Sequence, residues 1–198
     1  MGARRKTVDA EICFRGKGTR MLIFLVCAAV TILLQFTIPH FSSPYGAAVK
    51  ARFVERSKTI PEGESGDVPL NEENLRQWIS SYPESAKGYA SPVLFPLDIL
   101  FLFALGIALA TGSVLFARNA VLVSDVWPVI WWIIPTVYLV ADFVEDVILI
   151  GVMKNPQRLT ARSFSSLALA TDIKIRSVIA GFCQLAALAF LAGLKVVL

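Results

Sequence analysis

Apolar positions in this chain gather into four blocks, at about 21–38, 93–117, 126–152 and 173–197. Each approaches or exceeds the roughly 20 residues that an α-helix needs to cross a bilayer core. The pattern predicts an all-α fold, a four-helix transmembrane bundle preceded by a basic tail over residues 1–20, with residues 21–198 as the membrane domain. The connection 118–125 is short, so the second and third helices should be antiparallel neighbours. Residues 41–91 form one long extramembrane loop. With four crossings, this loop and the polar stretch 153–171 emerge on the same side.

Within the loop, Ile60–Pro69 is rich in Pro, Gly and Glu and reads as irregular. Leu70–Tyr82 reads as a short amphipathic helix with Asn71 as N-cap and Leu70 and Leu75 as a hydrophobic staple. Leu75, Trp78, Ile79 and Tyr82 recur at helical spacing, an apolar face suited to lying on the bilayer surface or covering the bundle mouth as a lid. Val49 and Phe53, among the charges from Lys50 to Lys58, suggest a further amphipathic turn. The first 20 residues contain Gly16 and Gly18 and read as a disordered tail.

The third block changes the picture, because its second half carries Asp142, Glu145 and Asp146. At 100° per residue these fall with Tyr138 and Leu149 within an arc of roughly 100°, which Pro135 and Trp131 share. A carboxylate in hydrocarbon costs roughly 2.5–3.5 kcal/mol, so this stripe should face protein, water or a cation rather than lipid. Pro135 should kink the helix or remove a backbone bond. Trp127, Trp131 and Trp132 mark headgroup level. Asp98 lies early in the second block, and Asp172, Lys174 and Arg176 lie early in the fourth. All of these groups, with His40 at the end of the first block, fall towards the side of the long loop, predicting a one-sided polar cavity beneath it. Gly106, Ala110, Ala108 and Gly112 give small-x-x-x-small steps that place the second helix inside the bundle, and Ala189 and Gly193 repeat the step later.

Composition agrees. Of 198 residues, 56% are hydrophobic and 17% charged, with a mean hydropathy of +0.64, which excludes an ordinary soluble domain. The net charge of +4 arises mainly from Arg4, Arg5, Lys6, Arg15, Lys17 and Arg20, a cytoplasmic anchor rather than a nucleic-acid footprint. This places the N-terminus in the cytoplasm, although Lys154, Arg158 and Arg162 then lie outside. Cys13, Cys27 and Cys183 are too scattered for a disulfide framework or thiolate metal site. Gly46 and Ala48 offer a signal-peptidase step, but the apolar core before them is longer than a signal sequence requires.

Several kinds of chemistry fit the polar groups. Asp172 and Arg176 are spaced i,i+4, and Lys174 or Arg176 can reach Glu145 or Asp146, giving a structural ion-pair network. The acids outnumber these bases, and the excess must be protonated, hydrated or cation-bound. The main reading is therefore a non-enzymatic multi-pass protein whose cluster of Asp98, Asp142, Glu145, Asp146, Asp172, Lys174 and Arg176 binds a polar headgroup, a cation or a protein partner. One alternative is a membrane enzyme acting on a lipid through a divalent cation held by Asp98, Asp142, Glu145 and Asp146. Against it, the chain has a single histidine and lacks H-E-x-x-H, G-x-S-x-G and a Gly-rich phosphate loop. A proton- or cation-coupled transporter working as an oligomer is the other. Partners would be membrane lipids and a membrane protein or a second copy, not nucleic acid.

Phe95-Pro96-Leu97-Asp98, Ala141-Asp142-x-x-Glu145-Asp146 and Thr171-Asp172-x-Lys174 together resemble a pattern of uncharacterised four-span bacterial inner-membrane proteins. The resemblance covers the last three blocks and implies architecture, a bacterial inner-membrane setting, and Asp98, Asp142, Glu145 and Lys174 as matching polar positions. Asp146 stands where that pattern commonly has Asn. No activity comes with it.

Overall fold

The structure is a computed structural model that describes residues 3–45, 59–62, 66–69 and 72–197. It is an all-α bundle of four long helices: α1 (Ala3–Ser42), α4 (Ile99–Asn119), α5 (Ile133–Lys154) and α6 (Ala161–Val197). Two short helices, α2 (Glu72–Ser81) and α3 (Pro83–Gly88), lie in the loop. Three stretches, Gly18–Tyr45, Pro83–Asn119 and Ala161–Leu194, are long and apolar enough to cross a membrane, the signature of an integral membrane protein. At 22 residues α5 is roughly 33 Å long, and its three acids set it apart from the other three.

α4 occupies the interior, where most of its residues from Leu102 to Ala117 are buried. Its glycines explain how. A Cβ on Gly106 would come within 2.5 Å of Leu139 on α5, and one on Gly112 within 2.8 Å of both Leu185 on α6 and Phe24 on α1. α4 therefore touches three neighbours at backbone range, as its small-residue spacing predicts.

Several expectations are corrected. The basic tail is helical from Ala3, continuous with the first apolar block, because its Arg, Lys, Ala and Glu residues are good helix formers and outweigh two glycines. The second block does not form one straight helix. Pro92 and Pro96 break it over Tyr89–Asp98, where Ser91 and Phe95 have extended backbones, and Asp98 ends up immediately before α4. Both X-Pro bonds here, Ser91-Pro92 and Phe95-Pro96, are cis. Pro135 falls in the first turn of α5, where the missing N–H is tolerated, because the preceding Pro128–Trp132 forms a 3-10 turn.

α6 begins well before Thr171. Thr160 and Ser163 cap it reciprocally: the Ser163 amide donates to Thr160 Oγ1 at 3.2 Å, and the Thr160 amide donates to Ser163 Oγ at 2.8 Å. In the loop, Thr59–Glu62 pairs antiparallel with Gly66–Pro69 in a two-stranded hairpin, where an irregular stretch was expected. Ile60 pairs with Val68 in its register. Leu70, Asn71 and the stretch around Val49 and Phe53 lie outside the described residues.

The long loop and the α5–α6 connection do meet on one side. Leu75 and Ile79 of α2 are each 1% exposed and join Leu149, Val152, Met153 and Leu159 in one apolar cluster with Leu34 and Ile38 of α1. Arg76 of α2 pairs with Glu72 at 2.6 Å and donates a hydrogen bond to the Leu159 carbonyl. Tyr82 is exposed, and the side chain of Trp78 lies outside the described ones.

Candidate functional site

The stripe on α5 turns inward as its spacing requires. Pro135, Tyr138, Asp142, Glu145, Asp146 and Leu149 are all buried. Glu145 is 0%, Asp146 1% and Asp142 2% exposed, which for carboxylates demands partners.

Lys174 supplies the main one. From α6 its ammonium pairs with Asp142 Oδ1 and with Glu145 Oε2, the latter at 2.8 Å. One cation thus bridges two acids that lie nearly one turn apart on α5, which fixes the register of α5 against α6. Thr171, three residues before Lys174 on the same face, has its single hydroxyl proton within reach of both Glu145 Oε1 at 2.6 Å and the Leu167 carbonyl at 2.9 Å. Tyr138, one turn earlier on the same face, is buried within electrostatic reach of Asp142. Asp142 and Glu145 are therefore held from several directions.

Asp146 is not. Its Oδ2 is buried without a protein hydrogen-bond partner, and its electrostatic neighbours are Asp98, Asp142 and Glu145 as well as Lys174. The broken segment Tyr89–Asp98 packs against α5 on this side, with Tyr89 in electrostatic reach of Asp146, Glu145 and Lys174. Its two prolines contribute no backbone N–H, so the regular α-helical hydrogen-bond ladder is interrupted there.

Asp98, Asp142, Glu145, Asp146 and Lys174 are thus brought together. Asp172 and Arg176 are not, since they point outward from α6 and pair with each other at 3.0 Å. His40 lies away from the cluster, exposed and edge-on to Phe41 at 5.9 Å. The four acids do not form a chelating set: among the described residues, no group of three or more His, Cys, Asp or Glu is placed to hold a metal ion. The physical reason is Lys174, which takes up the oxygens that a divalent ion would need.

Sequence reasoning missed Thr171 and Tyr89 as neighbours of the acids. Thr171 was detectable from its i,i+3 relation to Lys174, whereas the approach of Tyr89 depends on the break at Pro92 and Pro96. Also missed was a second polar tie, in the other half of the bundle. There Gln184 Nε2 donates to Ser113 Oγ at 2.9 Å and to the Trp131 carbonyl at 3.0 Å, joining α6, α4 and the turn before α5. No protein-family model, curated protein or solved structure matches the chain.

Proposed function

We propose that this chain is a non-enzymatic, four-span protein of the bacterial inner membrane with a cytoplasmic N-terminus, and that its buried cluster holds an exchangeable small monovalent cation, a proton or an alkali ion, at Asp146. The observation that carries this reading is the unpartnered Oδ2 of a carboxylate only 1% exposed. Lys174 already serves Asp142 and Glu145, so one ammonium stands against at least three acids. The remaining negative charge has to be met by something small, since Asp142, Glu145 and Asp146 are each 2% exposed or less.

A monovalent ion suits the setting better than a divalent one. It can be held by one carboxylate with backbone carbonyls of an interrupted helix, the arrangement that membrane proteins use for Na⁺. The Tyr89–Asp98 break puts such backbone next to α5. The leucine and isoleucine of α2 would then act as a lid whose opening gives access.

The test is equilibrium binding of radiolabelled Na⁺ to the purified full-length protein, competed by K⁺ and by acid, with N-methylglucamine holding ionic strength. Saturable binding lost in Asp146→Asn supports an alkali ion. No Na⁺ binding, with one proton taken up between two pH values by wild type and not by Asp146→Asn, supports a proton. Neither uptake in the wild type, or identical uptake in the variant, refutes the site.

A further inference from the structure

The outward-facing ion pair on α6 is out of place for a lipid-exposed surface. Charged side chains within membrane helices nearly always face the bundle interior or a water-filled cavity. Yet the side chains of Arg176 and Asp172 are 81% and 46% exposed. The pair does not sit at the end of the apolar surface. Leu169, roughly 10 Å before Arg176, and Ile179, Phe182 and Phe190, up to roughly 21 Å beyond it, are large exposed apolar residues on the same helix. Lys174 faces Asp142 and Glu145, so Arg176 is level with about Val140 of α5, whose exposed neighbours Val137 and Val144 are apolar too.

At 100° per residue Leu169, Asp172, Arg176, Ala180, Cys183 and Ala187 fall within roughly 40° of one line along α6. The exposed stripe therefore carries a charged pair after Leu169 and small residues beyond it, where a facing helix can approach closely. Leu169 and Ile173 beside it also line an apolar groove of about 460 Å³ between α5 and α6.

We propose that this face is the interface of a homodimer. The occupant follows from charge complementarity. In two copies related by a two-fold axis along the membrane normal, α6 packs on its own counterpart. Asp172 and Arg176 are one turn apart, so each Arg176 can reach the partner's Asp172 diagonally, giving two equivalent bridges. Such a pair is self-complementary. It is net neutral and so offers little attraction to an anionic lipid headgroup, whereas a second copy neutralises both charges and removes them from hydrocarbon. This inference is independent of the cation site, which lies on the opposite face of α6.

The experiment uses the full chain in lipid nanodiscs, in a Cys13→Ser, Cys27→Ser background that leaves Cys183 on the stripe. Wild-type charge residues should give a dimer by mass and a Cys183–Cys183 product with a short bis-maleimide. Asp172→Arg and Arg176→Asp, carrying different tags, should each lose at least ten-fold of that product alone, yet recover it with each other when co-expressed. Recovery also shows that both variants fold. A monomeric wild type, an absent Cys183 product, or single variants that cross-link as well as wild type would each overturn the dimer. Retention of anionic lipid by a monomer in an Arg176-dependent way would do so as well, and would assign the pair to a headgroup.

Discussion

The two ends of this bundle solve the same problem differently. Away from the loop, α4, α5 and α6 are tied by Gln184, whose amide reaches Ser113 and the Trp131 carbonyl at 2.9 and 3.0 Å. That tie is neutral and makes two good bonds from one side chain. Nearer the loop, the same helices enclose Asp142, Glu145 and Asp146 around a single Lys174, and one carboxylate oxygen of Asp146 has no partner. A fold that needed only cohesion is served by the first arrangement. The second carries a buried charge that packing alone does not require, and the contrast separates cohesion from function.

The contrast can be broken most severely at Lys174. Lys174→Met leaves two buried carboxylates without their ammonium and should cost about 3–5 kcal/mol, seen as a collapse of thermal stability in detergent. If stability is unchanged, the pairing does not hold α5 to α6. The cover over the polar end comes next. Ile79→Ala opens a cavity in a residue only 1% exposed and should cost about 2–5 kcal/mol, but locally. Amide exchange in α2 should quicken while α4 stays protected; equal quickening in both would show that α2 is not a separable lid. At the neutral end, Gln184→Leu should cost only about 1 kcal/mol, the range of interhelical hydrogen bonds in membranes, and should leave cation binding untouched. A variant that loses binding would mean that the two ends are coupled.

Much of this was legible in the amino-acid pattern. The four helices, the inward stripe of α5 and the meeting of the loop with the α5–α6 connection all follow from apolar periodicity and crossing number. So does the i,i+4 relation of Asp172 and Arg176, but not its direction. Both residues were grouped with Lys174 because they share a helix turn, whereas 100° steps put Lys174 on one side of α6 and Arg176 about 160° away from it. That angle was available and decides which residues form the cluster. The break at Pro92 and Pro96 was masked by the hydropathy of its surroundings, which reads as one continuous block. The early start of α6 was hidden because its cap uses Thr160 and Ser163 rather than the more recognisable Ser/Thr with Glu. Which oxygen of which acid goes unpartnered is set by side-chain packing among three helices, and no linear pattern contains it.

In the proposed site Asp146 keeps an unmet charge for an exchangeable cation. Comparing the melting temperature of wild type and Asp146→Asn, in N-methylglucamine at high pH and then with rising Na⁺ or falling pH, tests it most directly. The variant should be the more stable protein when no small cation is supplied, because it lacks the uncompensated charge. The gap should close as the cation is added, since only the wild type gains by binding it. A variant that is less stable by the same margin under every condition would rule out an exchangeable cation at Asp146 and make this residue a structural member of the Lys174 network.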